Sequence, residues 1–129
     1  MANEHTTTLT PFLTVSDAKK AVDFYVSAFG ATEMTRFDLP QDKISSKISI
    51  DGALFYVADE EPEFGNVSPA ASTATAIRII LETEKADDLF AKAIAWGATE
   101  ICPMTTEDDW RIGKLKDPFG HVWELGYTV

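Results

Sequence analysis

Apolar and polar residues alternate along two stretches of the chain, residues 9–15 and residues 77–82. A period of two predicts a β-strand with one buried face in each stretch. Directly afterwards the apolar residues follow a helical spacing, which predicts amphipathic helices over 18–29 and 86–93. The change from strand to helix spacing therefore occurs at two matching places, and each begins a similar unit.

The two units also share their helix boundaries and a short motif. Ser16 and Thr83 are the expected N-terminal caps, and Gly30 and Gly97 are expected to end the helices in the left-handed conformation. Around these glycines, Phe-Gly-Ala-Thr-Glu-Met returns as Trp-Gly-Ala-Thr-Glu-Ile at an offset of 67 residues. The match indicates an internal duplication.

Three further strands are expected after each helix. Asp51-Gly52 favours a tight hairpin turn, and Asp117-Pro118-Phe119-Gly120 has proline and glycine where a second turn needs them. The predicted strands are 31–39, 43–50 and 53–58 in the first unit and 99–104, 110–116 and 122–128 in the second.

The element order βαβββ, repeated twice, predicts one α+β domain over residues 1–129. Its first module spans about residues 8–58, a surface linker about 59–75, and its second module about 76–129. A single helix leaves one face of a four-stranded sheet uncovered. The two modules therefore either cover each other's open faces or form a curved mixed sheet around a cleft.

The strand faces opposite the helices are the expected place for a ligand site. Alternation places these residues there: Thr10, Phe12 and Thr14 in the first module, and Arg78, Ile80 and Glu82 in the second. A slip of one residue in register would exchange the buried and open sets. Glu124 lies between Trp123 and Leu125 on the last strand, so its carboxylate faces either solvent or the site.

Composition narrows the range of partners. The chain carries 11 Lys and Arg against 21 Asp and Glu, a net charge of −10, which disfavours nucleic acid and anionic membranes as partners. The single cysteine, Cys102, excludes an internal disulfide, and no apolar run reaches the length of a membrane span. The N-terminus also lacks a signal-peptide pattern, so we expect a cytoplasmic protein.

Two motifs resemble those of the vicinal oxygen chelate superfamily, which includes glyoxalase I, extradiol dioxygenases, and the fosfomycin- and bleomycin-resistance proteins. One is Phe24-Tyr25…Ala28-Phe29-Gly30-Ala31, and the other is Asp117-Pro118-Phe119-Gly120-His121-Val122-Trp123-Glu124. The chain is most similar to the PhnB-like branch of the glyoxalase/bleomycin-resistance protein/dioxygenase family. The resemblance implies paired βαβββ modules around a cleft, but it leaves the activity open because the family's functions are diverse.

The resemblance also implies where metal ligands would lie, on the first and last strands of each module. The matching positions are near Thr10, Tyr56, Arg78 and Glu124, and a histidine position of PhnB-like relatives falls near Ser45. Only Glu124 is a metal-ligand type. We therefore expect no family-type metal and no cofactor. The alternative is a divalent Zn, Ni, Mn or Fe ion, held by Glu124 and by donors that this register misplaces.

Five side chains have candidate roles other than metal binding. Trp110 with Arg111 suits a planar ligand by stacking, or the tryptophan packs on an edge strand. Arg78 and Glu124 form either an ion pair across the cleft or a site for a polar ligand. Cys102 is expected to be a small core residue, since no histidine lies close in sequence to activate it.

Three functional hypotheses remain open. The first is sequestration of a small cationic or aromatic molecule in the cleft. Its candidate ligand-binding residues are Thr10, Phe12, Ser45, Tyr56, Arg78, Trp110, Arg111 and Glu124. The second is a glyoxalase-type lyase, isomerase or dioxygenase, with Glu124 as metal ligand or general base. The third is an interaction module with a filled cleft. The resemblance further implies a homodimer.

Overall fold

The computed structural model describes residues 6–69 and 75–129. Within these ranges the chain forms βαβββ twice, and the predicted α+β fold class is confirmed. The strands are β1 (Phe12–Val15), β2 (Thr32–Leu39), β3 (Lys43–Ile50), β4 (Ala53–Asp59), β5 (Arg78–Glu82), β6 (Thr99–Glu107), β7 (Trp110–Lys116) and β8 (Val122–Thr128), and the helices are α1 (Ala18–Phe29) and α2 (Ala86–Ala95). No helix in the described ranges is long and apolar enough to cross a membrane.

The strands form two mixed sheets with the same topology. The order is β1-β4-β3-β2 in the first sheet and β5-β8-β7-β6 in the second. In each sheet the first strand runs parallel to the last, and the three strands after the helix pair antiparallel. Asp51 and Gly52 have φ of 50° and 90°, as the predicted tight turn between β3 and β4 requires.

The start of α1 differs from the prediction by one residue. Asp17 is the N-cap, with φ of −149°, and its Oδ1 accepts a hydrogen bond from the backbone N–H of Lys20 at 3.1 Å. The prediction of Ser16 as the cap is wrong, because the first helical residue is Ala18 and the cap precedes it directly. A carboxylate at this position also interacts favourably with the positive end of the helix dipole.

The second helix also begins without the predicted cap. The N-cap position holds Lys85, with no side-chain cap, instead of Thr83. The hydroxyl of Thr83 accepts a hydrogen bond from the backbone N–H of Lys85 at 3.2 Å, so it stabilises the turn before the helix. Gly30 and Gly97 follow the two helices with φ of 67° and 108°, as predicted.

The core lies between the helices and one face of each sheet. Leu13 and Val15 of β1 are 6% and 0% exposed, whereas Phe12, on the opposite face of the same strand, is 58% exposed. In the second module Leu81 is buried and Ile80 is 59% exposed. Because α1 packs on α2, the helices share one side of the molecule. The modules therefore lie side by side, and neither covers the open sheet face of the other.

An aromatic cluster joins the two modules. Tyr25 and Phe29 of α1 lie 5.6 and 4.9 Å from Trp123 of β8, measured between ring centroids. Phe55 of β4 lies 5.5 Å from the same tryptophan ring. These four side chains are between 0% and 4% exposed, so the junction is a continuous part of the core.

Asp117 lies buried at this junction and accepts four hydrogen bonds. Its Oδ2 accepts from the Tyr25 hydroxyl at 2.5 Å and from Trp123 Nε1 at 2.9 Å. Its Oδ1 accepts from the backbone N–H groups of Phe119 and His121 at 2.9 and 3.0 Å. One carboxylate thus fixes the turn before β8 and attaches it to α1 of the other module.

Tyr25 makes the free energy of unfolding depend on pH in the alkaline range. Burial, together with the charge of Asp117, raises the pKa of Tyr25 well above its ordinary value near 10. Above pH 10 the unfolded chain therefore releases a proton that the folded chain keeps. We expect the free energy of unfolding to fall by about 1.4 kcal/mol per pH unit from this residue alone.

Urea unfolding of the wild type and of Tyr25→Phe checks this at pH 9 and above pH 10. Groups that titrate in both proteins cancel in the difference. The phenylalanine variant is expected to lose less stability over this interval. Equal losses in the two proteins would contradict a raised pKa for Tyr25.

Candidate functional site

The side of the two sheets turned away from the helices forms one continuous surface, called here the open face. It is built from rows of cross-strand neighbours. One row in the first sheet is Lys47, Tyr56 and Phe12, and one in the second sheet is Ile80, Glu124 and Lys114. Edge strands β1 and β5 together line a cavity between the modules, where Phe12 of the first row and Ile80 of the second meet in one cleft.

Glu124 lies on the open face in a largely enclosed position. Trp123 and Leu125 on either side of it are in the core, so alternation along β8 turns Glu124 towards the cleft. Its side chain is 12% exposed and is paired with Arg78, Nε to Oε2. The Nζ of Lys114 lies 3.7 Å from the same oxygen. The predicted ion pair is present, but it joins neighbouring strands β5 and β8 of one sheet instead of crossing the cleft. Two cations share the one carboxylate.

The first module contributes aromatic surface to the cleft. Phe12 stacks on Tyr56 with ring centroids 5.4 Å apart and an angle of 16° between the planes. A cavity of about 430 Å³ is lined by Thr10 and Phe12 from this module and by Arg78 and Ile80 from the other. The structure thus brings four of the predicted open-face residues together in one cavity, with Tyr56 directly beside it.

A second cavity of about 200 Å³ adjoins the carboxylate of Glu124. Its lining includes Lys114, Thr105, Glu107 and Cys102. The prediction of Cys102 as a core residue is wrong, since its side chain is exposed. The reason is that β6 is an edge strand whose register with β7 shifts on both sides of this cysteine, so simple alternation does not describe it.

Three predicted ligand-binding residues lie away from this cluster. Ser45 is two residues along β3 from the row that contains Tyr56. Trp110 shares the open face but lies four residues along β7 from Lys114, a distance of about 13 Å. Arg111 lies on the opposite face of the sheet from these residues.

Arg111 is bound on the helix side. Its Nη2 lies 2.8 Å from Asp87 of α2, and the hydroxyl of Tyr127 donates to the same carboxylate at 3.1 Å. The hydrogen bond from Arg111 lowers the pKa of Asp87 and raises that of Arg111. Arg111 therefore connects β7 to α2, and these contacts hold its side chain outside the cleft.

Sequence reasoning overlooked Lys114. The signal was present in the hairpin formed by β7 and β8. Pairing outward from the turn at residues 117–120 places Lys116 opposite Val122, Leu115 opposite Trp123, and Lys114 opposite Glu124. Extending the predicted turn into a register would therefore have placed this lysine beside the carboxylate.

The side chains present do not fit the metal site that the resemblance implies. Of the four matching positions, Thr10, Tyr56, Arg78 and Glu124, only the last offers a metal-binding oxygen of the usual kind, and the guanidinium beside it repels a cation. Across residues 6–69 and 75–129, no three His, Cys, Asp or Glu side chains come close enough to hold a metal ion.

Comparison with known proteins agrees with the paired βαβββ modules. The sequence profile of the Glyoxalase/Bleomycin resistance protein/Dioxygenase superfamily matches residues 4–125. The uncharacterized protein Rv0887c of Mycobacterium tuberculosis is 37% identical over 94% of this chain and 74% of its own length. The chain therefore belongs to the glyoxalase/bleomycin resistance protein/dioxygenase superfamily.

Two solved structures are also similar. The product of Arabidopsis thaliana At5g48480 is 32% identical with a TM-score of 0.70, over 94% of this chain and 98% of that one. TioX from Micromonospora sp. ML1 is 24% identical with a TM-score of 0.74, over 96% and 100% of the two chains, and shows the shared fold.

Proposed function

We propose that the protein binds a small molecule in the cleft on its open face, without a family-type metal ion. The observation that carries this proposal is the cavity of about 430 Å³ between the modules, where apolar surface of Phe12 and Ile80 meets the charged side chain of Arg78. A volume of this size, with mostly apolar walls and few polar groups, is usual for ligand pockets.

The proposal also concerns the kind of guest, the branch of the family, the oligomeric state and the location. The Phe12–Tyr56 pair favours an aromatic guest, whereas a cationic guest is expected only from the net charge of −10. Membership of the PhnB-like branch, a homodimer and a cytoplasmic location stay predictions. A metal-dependent lyase or dioxygenase that uses Glu124 is the competing function, and the metal content of the protein separates the two.

A neutral aromatic probe tests the binding proposal. We expect isothermal titration with 2-naphthylmethanol to give saturable binding. We expect Phe12→Ala to weaken it about five- to tenfold, because it removes the stacked ring beside the cavity. Phe64→Ala is the matched control, since Phe64 is an exposed phenylalanine of the linker outside this cavity and should leave the affinity unchanged.

Elemental analysis of the same purified protein completes the test. After dialysis we expect less than stoichiometric Ni, Zn, Mn and Fe. A stoichiometric metal that disappears in Glu124→Gln would instead support the enzyme. Equal affinities of the wild type and the Phe12 variant would remove the cleft from consideration as the binding site.

A further inference from the structure

We infer that the charged end of the cleft recognises an oxyanion, a carboxylate or phosphate group carried on an apolar, planar body. The inference rests on the proposed function, because it specifies which ligand the cleft takes. It depends on the charges that line the open face, which differ in sign from the net charge of the chain.

Two positively charged side chains pair with the single carboxylate of Glu124. Arg78 and Lys114 both approach this one carboxylate, so the three side chains together carry one net positive charge. The side chains of Lys114 and Glu124 are 33% and 12% exposed, which keeps much of the solvent away from this group. A second anion would therefore neutralise an excess charge in a partly enclosed site.

Positively charged side chains lie in both sheets of the open face. Lys47 of β3 lies beside Tyr56 in the first sheet, as Lys114 lies beside Glu124 in the second. The open face has two further acids, and both are exposed. Glu82 lies two residues along β5 from this row, and Glu107 lines the smaller cavity with Lys114 and Glu124. The three cations Arg78, Lys114 and Lys47 still outnumber Glu124 and Glu107. The centre of the cleft is therefore positive, although the whole chain carries −10.

Arg78 has hydrogen-bond donors that its ion pair with Glu124 does not use. A guanidinium has five N–H donors, and one carboxylate takes at most two of them in the bidentate arrangement. Arg78 is 55% exposed at the wall of the larger cavity, so donors remain for an incoming anion. Thr10, which carries a hydroxyl group, lines the same cavity, and Phe12 and Ile80 provide apolar surface for the planar body.

The local positive charge of the cleft disfavours the expected cationic guest. That expectation used the total charge, which acts at long range and is screened over about 10 Å at ordinary ionic strength. Inside the cleft a cation would meet Arg78 and Lys114, and the nearby carboxylates are those of Glu124 and Glu107. Local charge determines which guest is complementary to the site, whereas total charge affects mainly the rate of encounter.

Three probes with the same ring system and different charge test the inference. They are 2-naphthoate, 2-naphthylmethanol and 2-naphthylmethylammonium, titrated at low salt. We expect 2-naphthoate to bind at least tenfold more tightly than the neutral alcohol, and the ammonium compound to bind most weakly. The rate of Cys102 alkylation by iodoacetamide gives an independent readout, because this exposed thiol lines the cavity beside Glu124.

Substitutions then assign the effect to named side chains. Arg78→Gln and Lys114→Gln are each expected to weaken 2-naphthoate binding about tenfold, whereas Lys20→Gln on the exposed side of α1 leaves it unchanged. Glu124→Gln is expected to strengthen 2-naphthoate binding severalfold, because it frees both cations.

The outcomes separate this inference from the proposed function. If none of the three probes binds or protects Cys102, the proposed function itself is wrong. If the neutral or cationic probe binds as well as 2-naphthoate, only the oxyanion inference is overturned. Weaker 2-naphthoate binding by the Glu124→Gln variant would also overturn it.

Discussion

Replacing Asp117 with alanine is expected to lower the free energy of unfolding by about 3–5 kcal/mol. The substitution leaves four donors without their acceptor, namely the Tyr25 hydroxyl, Trp123 Nε1 and the backbone N–H groups of Phe119 and His121. All four lie at the junction of the modules. Since a domain of this size is stable by about 5–15 kcal/mol, the variant should retain only part of its stability.

Urea unfolding followed by circular dichroism measures the effect. Asp117→Asn keeps the shape and one oxygen acceptor, so it should fold and lose less stability than the alanine variant. Asp23→Ala, on the exposed side of α1, is the matched control and should change stability by less than about 0.5 kcal/mol. Similar stability of all three variants would show that Asp117 does not hold the modules together.

Gly126→Ala is expected to destabilise the second sheet by about 3 kcal/mol. A Cβ atom at this position would lie 2.3 Å from the backbone oxygen of Arg111 and 3.2 Å from the Cα of Ile112. Backbone cannot move aside as a side chain can, so β7 and β8 would have to separate. The two strands carry Lys114 and Glu124, and binding in the cleft should weaken as well.

Gly113→Ala is the informative comparison. Its Cβ would meet Met104 Sδ at 2.6 Å and Phe90 Cε2 at 2.9 Å, and the flexible methionine side chain can shift. Its loss of stability should therefore be smaller than that of the Gly126 variant. The opposite order, measured by urea unfolding, would contradict the role assigned to the close approach of β7 and β8.

Much of the fold could be predicted because alternation and helical spacing are strong local signals. Leu13 and Val15 are in the core and Phe12 is on the open face, as the period of two required. The hairpin at Asp51-Gly52 has the backbone conformation that its residues favour. These features depend on neighbours in sequence, and a local pattern therefore specifies them.

The site could be predicted only in part, because it depends on distant residues. Arg78 and Glu124 were identified as cleft residues, but Lys114 joins them only through the register of β7 against β8. Arg111 follows the alternation of β7 to the helix side, where Asp87 of α2 binds it. The exposure of Cys102 results from irregular pairing at an edge strand, which residue type alone does not reveal.

The duplication has a consequence for how a guest molecule would be oriented. The first and last strands of the modules correspond at an offset of 68 residues, one more than the repeated motif. Thr10 then corresponds to Arg78 and Tyr56 to Glu124. Equivalent places in the two modules thus present a hydroxyl and a phenol ring on one side and an ion pair on the other. The two sheets repeat one topology but carry different side chains at these places, so the cleft has a distinct head and tail. A guest with unlike ends would be held in one direction only, which is a prerequisite for distinguishing mirror-image forms.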